Sequence, residues 1–105
     1  MIARIWRGVV AKADANAYAE YMLETGVRGY STTPGNRNVY MLRRTVGEEC
    51  EFLMVSLWNS IDDIRAFAGD DVEQAVFYPE DDRFLVDRDN SVRHYEVVES
   101  EGGIT

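Results

Sequence analysis

The sequence is poor in the residues that usually cross-link a chain or ligate a metal. It contains one cysteine and one histidine among its 105 residues. A single cysteine, Cys50, excludes an internal disulfide and favours a reducing, cytoplasmic location. One histidine and one cysteine also cannot assemble a zinc or iron ligand set within one chain, so we predict no bound metal.

Positive charge is scarce as well. Eleven Lys and Arg residues stand against 19 Asp and Glu residues, which gives a formal net charge of −8. No basic cluster offsets this charge, so we predict neither nucleic acid nor an anionic membrane surface as a partner. The longest uncharged apolar run, residues 52–58, is far too short to cross a bilayer.

What is present has the composition of one soluble globular domain. Hydrophobic residues make up 46% and charged residues 29% of the chain, which is typical of a folded protein. We assign residues 1–99 to this domain. Residues 100–105, which include Gly102 and Gly103, are expected to form a flexible tail.

Four segments have the alternation or the apolar, β-branched content of β-strands. Gly47 marks a turn between the second and third strands, which therefore form a hairpin, and a loop at 30–38 precedes them. The predicted strands are residues 2–10, 38–46, 49–58 and 91–99.

Two helices are predicted between the strands. The first begins after Asp14, has apolar residues at helical spacing, and is expected to end at Gly26. Ser60 and Asp63 have the spacing of a capping box and open the second helix, which ends at Gly69. Shorter segments are expected at residues 71–77, as a helical turn, and at 84–86.

The element order predicts an α+β, ferredoxin-like split β-α-β-β-α-β fold, with helices on one face of a four-stranded antiparallel sheet. The third strand, however, is apolar on both faces. Helices cover only one of them, so we predict a homodimer that covers the open face with a second copy, related by a two-fold axis. A covering loop or a larger assembly is the alternative. One face of this strand carries Phe52, Met54, Ser56 and Trp58. The other face carries Leu53, Val55 and Leu57.

Three segments resemble the antibiotic biosynthesis monooxygenase domain: residues 56–67, which include Trp58 and Phe67, and residues 71–75 and 92–97. The resemblance covers about residues 2–99. It implies a dimeric α/β barrel, in a superfamily that includes cofactor-independent oxygenases of polycyclic phenols, haem-degrading oxygenases and proteins without assigned chemistry.

The haem-degrading branch carries an Asn on the first strand, a Trp at the end of the third and a haem-ligating His on the next helical segment. The matching positions here are Trp6, Trp58 and Phe77. Phenylalanine has no lone pair for iron, so the resemblance does not extend to haem degradation, and we predict no cofactor.

Three residues are predicted to be catalytic. Trp58 matches the family tryptophan and would stack on a flat substrate, although it is also a suitable core residue. His94 is the only histidine and would take a phenolic proton, because a phenolate reacts with oxygen more readily than a phenol. Its alternative is a structural hydrogen bond on the last strand or at the dimer interface. The Tyr78 hydroxyl would orient the substrate.

Five further residues are predicted to contact the substrate, each with a structural role as the alternative. Arg44 shares strand parity with Tyr40 and would stabilise a substrate oxyanion. Aromatic side chains would line an apolar pocket or, in a non-catalytic protein, fill it. The five residues are Trp6, Tyr40, Arg44, Phe67 and Phe77.

The predicted function is that of a monooxygenase without metal or flavin, acting on an aromatic or polyketide-like small molecule. One alternative is a non-catalytic dimer of the same superfamily that is stress-related, structural or binds a small apolar ligand; another is a different reaction in the same pocket, such as isomerisation or cyclisation. An open cavity with a reachable base favours the oxygenase, and a space filled by side chains favours the non-catalytic dimer.

Overall fold

The strand β1 (Ile2–Ala11) lies in the middle of the sheet in the computed structural model, which describes residues 1–102. It pairs antiparallel with β3 (Glu49–Trp58), and β3 pairs antiparallel with β2 (Asn36–Val46). The other edge of β1 is shared by two short antiparallel strands, β4 (Leu85–Arg88) and β5 (Arg93–Glu96). The sheet order is therefore β2-β3-β1, followed by β4 and β5 along one edge.

The helices follow the predicted order between the strands. Among residues 1–102, none of them is long and apolar enough to cross a membrane. The helical elements are a 3₁₀ turn (Lys12–Asp14), α1 (Ala15–Met22), a π-helical turn (Leu23–Val27), α2 (Arg28–Ser31), α3 (Ile61–Ala68) and α4 (Asp81–Phe84).

The predicted α+β, ferredoxin-like fold is confirmed. Ser60 is the N-cap of α3, as its spacing from Asp63 indicates, because the Ser60 hydroxyl accepts from the Asp63 N–H at 3.2 Å and donates to the Asp63 carboxylate at 3.0 Å. Gly69 ends α3 with φ +88°, a conformation that favours glycine. Among residues 1–102 the sheet has five strands rather than four, because Leu85 and Val86 of the segment at 84–86 begin β4, whereas Phe84 ends α4. The last strand is shorter than expected. The predicted tail at 100–105 lies partly outside the described residues.

The prediction that Gly26 ends the first helix is wrong. The chain passes through Gly26 in a π-helical turn and continues into α2 as far as Ser31. Gly26 is buried against Met22, whose Cε atom lies 2.8 Å from where a Cβ on Gly26 would stand. The glycine therefore allows close packing within a continuing helix instead of ending it.

The helical turn predicted at 71–77 is also wrong. Its backbone is bound to other groups: Val92 N–H donates to Glu73 O at 2.7 Å, and Ala75 N–H donates to Asn90 O at 2.9 Å. Arg4 binds two more carbonyl oxygens of this segment. The segment begins with a turn, closed by Gln74 N–H donating to Asp71 O at 3.2 Å, and residues 73–75 then run beside residues 90–92, with a bridge from Gln74 to Ser91.

The two faces of the sheet have different surroundings. Helices cover the face that carries the buried core residues Val10, Phe52 and Met54. The other face carries apolar side chains that are partly exposed to solvent, and Leu42 and Tyr95 are 47% and 52% exposed.

Candidate functional site

A small cavity lies between the helix-covered face of the sheet and the helices. Its volume is about 20 Å³, which is enough for about one water molecule. Its walls are largely aromatic, and they come from β1, α1, α2, α3 and the segment that precedes α4. The principal lining residues are Trp6, Tyr18, Tyr30, Phe67, Tyr78 and Asp81.

Trp6 forms one wall of this cavity. Its indole N–H donates to Asp89 O at 2.8 Å, which ties the ring to the loop between β4 and β5. The ring lies over Gly8, where a Cβ would stand 2.4 Å from the indole Cη2. Phe77, which is 37% exposed, packs edge-on against Trp6 at a ring distance of 6.2 Å. Trp6 is thus in the predicted pocket, whereas Phe77 covers Trp6 from outside.

A second wall is an aromatic cluster. The rings of Tyr30 and Phe67 lie 4.5 Å apart and face the cavity. Trp58 packs behind them, 6.0 Å from Tyr30 and 6.1 Å from Phe67. It is fully buried, and its N–H donates to the Ser56 hydroxyl at 2.9 Å. The structure therefore gives Trp58 a packing role in support of the wall.

Tyr78 lines the cavity on the side of the segment that precedes α4. Its hydroxyl lies over Gly29, where a Cβ would stand 2.5 Å from the Tyr78 oxygen. The glycine therefore makes room for this hydroxyl. Burial raises the pKa of Tyr78, so the hydroxyl is a proton donor at neutral pH.

Two buried polar atoms at the cavity wall have no hydrogen-bond partner among residues 1–102: the Tyr18 hydroxyl and Oδ1 of Asp81. The other oxygen of Asp81, Oδ2, accepts from Tyr78 N–H at 2.6 Å. Burial raises the pKa of Asp81 and, together with the Asp81 charge, that of Tyr18. An unpaired buried polar group costs about 1–3 kcal/mol, which marks this pair as unusual.

His94 lies on the helix-covered face of the sheet, beside the fully buried Arg4. Arg4 Nη1 lies 3.1 Å from His94 Nε2 and donates to Val72 O at 2.5 Å, while Nη2 donates to Gln74 O at 3.2 Å. Burial and the Arg4 charge lower the pKa of His94. A guanidinium only donates, so this contact requires an unprotonated Nε2. Tyr30 and Phe67 lie between this cluster and the cavity.

Tyr40 and Arg44 lie on the open face of the sheet, away from the cavity. Arg44 Nε donates to Glu51 at 2.7 Å, and Glu51 also accepts from Arg7 Nε at 2.7 Å. These two arginines lower the pKa of Glu51. The structure thus brings Trp6, Phe67 and Tyr78 together but does not bring Tyr40 and Arg44 to them. Among residues 1–102 there is no cluster of metal-ligating side chains.

The sequence alone did not point to Tyr18, Asp81 or Arg4. Tyr18 reads as part of an apolar helix stripe, and Asp81 as one member of an exposed acidic run. Arg4 reads as a charge on an alternating strand. A partial signal existed: Arg4 shares strand parity with Trp6, so one charged residue points to the same face as the core.

No protein-family model matches the chain, and no match was found among the curated proteins. Solved structures do match. A proposed antibiotic biosynthesis monooxygenase from Bacillus cereus has a TM-score of 0.68 at 16% identity, with 97% of each chain covered. The haem-degrading MhuD from Mycobacterium tuberculosis, with two haems bound in its active site, has a TM-score of 0.60 at 22% identity, covering 97% of this chain and 100% of MhuD.

A third similar structure is Rv0793 from Mycobacterium tuberculosis, with a TM-score of 0.58 at 14% identity over 96% of this chain and 98% of that one. All three cover almost the whole chain, so the likeness concerns the complete domain. The chain therefore has the fold of the antibiotic biosynthesis monooxygenase-like proteins, in agreement with the resemblance in its sequence.

Proposed function

We propose that the protein is a monooxygenase that acts on an aromatic or polyketide-like small molecule without a metal or flavin. The cavity carries this proposal, because it combines aromatic walls with two unpaired buried polar groups. Trp6 and Phe67 offer flat apolar surfaces for a ring system, and Tyr78 offers a hydroxyl for its orientation.

The proposed chemistry takes its electrons from the substrate. Deprotonation of a phenol or enol gives an electron-rich anion that reduces dioxygen. A neighbouring methylene group is then oxidised to a carbonyl: CH₂ and O₂ give C=O and H₂O, so one oxygen atom enters the substrate and the other leaves as water. The protein must supply a base, bind the anion and exclude bulk water.

His94 was predicted as that base, but the structure supports a different contribution, which comes from its neighbour Arg4. The His94 Nε2 is directed to Arg4 rather than to the cavity. Arg4 contributes positive charge behind the aromatic wall, because its guanidinium carbon lies 5.9 Å from the centre of the Phe67 ring. This charge would stabilise an anionic substrate on the cavity side of Phe67.

Substrate entry requires the cavity to widen, because about 20 Å³ does not hold an aromatic molecule. The segment between α3 and α4 covers the cavity with Val76 and Tyr78. It is anchored at one end by Arg4 and at the other by the Asp81 side chain. We propose that its middle, around Val76, moves outwards when substrate binds.

Haem does not suit this cavity. The single histidine, His94, contacts Arg4 and does not line the cavity, and the resemblance in the sequence matches Phe77 to the haem-ligating position. A porphyrin is also far larger than the space between the aromatic walls. We therefore propose no role for haem in this chain.

Oxygen consumption with a panel of phenols, anthrones and quinols tests the oxygenase proposal. We expect uptake with at least one compound, and a loss of about 10-fold in kcat/KM for Val76→Phe, which fills the cavity. The same change at Val86, which is 57% exposed on β4, is the matched control and should leave uptake unaffected. Absence of uptake with the whole panel would refute the proposal.

The small volume of the cavity favours a second candidate function, a non-catalytic protein that binds a small apolar ligand. In that case Trp6 and Phe67 fill the space instead of binding a substrate. The panel separates the two functions: ligand binding by calorimetry without oxygen uptake supports the second.

We further propose a cytoplasmic homodimer formed through the open sheet face. Apolar side chains on that face lie partly in solvent, including Leu42, which is 47% exposed. A second copy would bury them. Light scattering should give twice the 12.0 kDa chain mass, and Leu42→Arg should give monomers. Leu23→Arg, at a residue 52% exposed on the helical side, is the control; a wild-type monomer at micromolar concentration contradicts the dimer.

A further inference from the structure

The polar end of the cavity is formed by the Tyr18 hydroxyl from α1 and Oδ1 of Asp81 from α4. Both residues are withdrawn from solvent, with Tyr18 0% and Asp81 3% exposed. Each group is buried and, among the described residues 1–102, lacks a protein partner. This is unfavourable for folding and therefore needs another explanation.

Packing and the other hydrogen bonds of these residues do not account for the two atoms. Oδ2 of Asp81 already accepts from the Tyr78 N–H, and this bond leaves Oδ1 unpaired. The Tyr18 ring packs against Phe52 and Phe84 at ring distances of 5.0 and 5.5 Å. A phenylalanine at position 18 would make the same ring contacts, so its hydroxyl adds nothing to the packing.

The two groups are complementary to a single hydroxyl. A tyrosine hydroxyl donates one hydrogen bond, and an ionised carboxylate only accepts. A ligand O–H placed between them accepts from Tyr18 and donates to Asp81. The remaining wall is largely apolar and includes Trp6, Met54 and Phe67, with Tyr78 adding a further hydroxyl, so the rest of the ligand is expected to be largely apolar and flat.

We propose that Tyr18 and Asp81 bind one hydroxyl group of an otherwise apolar aromatic ligand, and that Asp81 takes the proton of that hydroxyl. This inference rests on the proposed function and names the catalytic base of the same site. The ligand O–H bond breaks, its electron pair stays on the ligand oxygen, and the proton binds Oδ1. A phenol and a carboxylate become a phenolate and a carboxylic acid, and the Tyr18 hydroxyl donates to the phenolate.

Two observations fit this role. Burial raises the pKa of Asp81, so its carboxylate is a stronger base than an exposed aspartate. Burial also keeps Tyr18 protonated, since its pKa is raised, and it therefore remains a donor. The new negative charge on the ligand replaces the one on Asp81, so the net charge of the site is unchanged.

A pair of probes that differ by one hydroxyl tests the inference without any oxygenase activity. Calorimetry would measure binding of 4-nitrophenol and of nitrobenzene to the wild type, to Asp81→Asn and to Tyr18→Phe. We expect the wild type to bind 4-nitrophenol about 10-fold more tightly than nitrobenzene. Either variant should bring this ratio close to one without weakening nitrobenzene. Asn keeps the oxygen that accepts from Tyr78 N–H, so the first variant should fold.

Proton transfer has its own signal, because nitrophenolate absorbs visible light and nitrophenol does not. The wild type should ionise the bound probe at a pH where the free probe is largely protonated, and Asp81→Asn should not. Asp82→Asn is the matched control, since Asp82 is exposed on the same helix and pairs with Arg88; it should behave like the wild type. The inference is overturned if the affinity for 4-nitrophenol relative to nitrobenzene is the same in Asp81→Asn as in the wild type.

The inference and the oxygenase proposal can fail separately. Asp81-dependent ionisation of the probe, without oxygen uptake from any phenol, supports the hydroxyl site and refutes the oxygenase. Oxygen uptake with an unchanged kcat in Asp81→Asn refutes Asp81 as the base and keeps the oxygenase.

Discussion

Two buried polar clusters lie on the same side of the sheet and differ in how well they are paired. The Arg4 cluster joins Nη1 and Nη2 of the guanidinium to Val72 O, Gln74 O and His94, and leaves Nε without a partner among residues 1–102. The Tyr18–Asp81 pair leaves the Tyr18 hydroxyl and Oδ1 of Asp81 without a protein partner among the same residues, and both of these atoms lie at the cavity wall. A cluster that is mostly paired fixes a conformation, whereas unpaired atoms beside a cavity are costly unless a ligand completes them. The comparison therefore separates a structural cluster from a functional one.

The comparison predicts its largest effect at Arg4. Arg4→Met should lower the free energy of unfolding by about 3 kcal/mol, because His94 and two backbone carbonyls lose their donor. Chemical denaturation at one fixed protein concentration measures this. Arg28→Met, at an exposed position on α2, is the control and should change stability by less than about 0.5 kcal/mol. Equal changes in the free energy of unfolding for Arg4→Met and Arg28→Met would contradict a structural role for the Arg4 cluster.

At Asp81 the effect should have the opposite sign. Asp81→Asn keeps an oxygen that accepts from the Tyr78 N–H and removes a buried charge, so it should raise the free energy of unfolding by about 1 kcal/mol at pH 8. The raised pKa of Asp81 means that the folded protein holds this proton more tightly than the unfolded chain. Protonated Asp81 therefore stabilises the folded wild type below the ordinary pKa of an aspartate, about 4. This stabilisation is lost as the pH rises through the raised pKa of Asp81 in the folded protein.

The difference between Asp81→Asn and the wild type should accordingly grow from about pH 4 upwards. Denaturation curves at several pH values measure it, with Asp82→Asn as the control. A variant less stable than the wild type at pH 8 would make Asp81 a structural residue, like Arg4.

The smallest expected effect concerns His94. Its pKa is lowered by burial and by Arg4, so the unfolded chain binds this proton more tightly. The neutral His94 ring therefore stabilises the folded protein above the ordinary pKa of a histidine, about 6.5. This stabilisation is lost as the pH falls through the lowered pKa of His94 in the folded protein. Between pH 7.5 and 5, the wild type should lose up to about 1 kcal/mol more than His94→Gln. Identical losses would show that the ring and Arg4 are not coupled.

The fold was largely predictable because its signals are local. The capping box at Ser60 and the apolar strand that ends at Trp58 are found where the sequence placed them. The non-helical conformation of the segment at 71–77 was not predictable. Its conformation depends on hydrogen bonds to Arg4 and to residues 90–92, which are distant in sequence.

The candidate site was predictable only in its aromatic part. Trp6, Phe67 and Tyr78 stand out by residue type, and the structure places all three at the cavity. Asp81 does not stand out in the sequence, because it lies between two other acidic residues, Glu80 and Asp82, which are exposed in the structure. Only the three-dimensional packing decides which of these carboxylates is buried.

The π-helical turn at Leu23–Val27 sets the direction in which Tyr30 points. A π turn holds one residue more than an α turn, and one residue corresponds to about 100° of rotation in a helix. If the same residues formed an α-helix instead, every side chain of α2 would be rotated by about that angle. The aromatic wall that Tyr30 forms with Phe67 therefore depends on the hydrogen-bond pattern of this turn as much as on residue type.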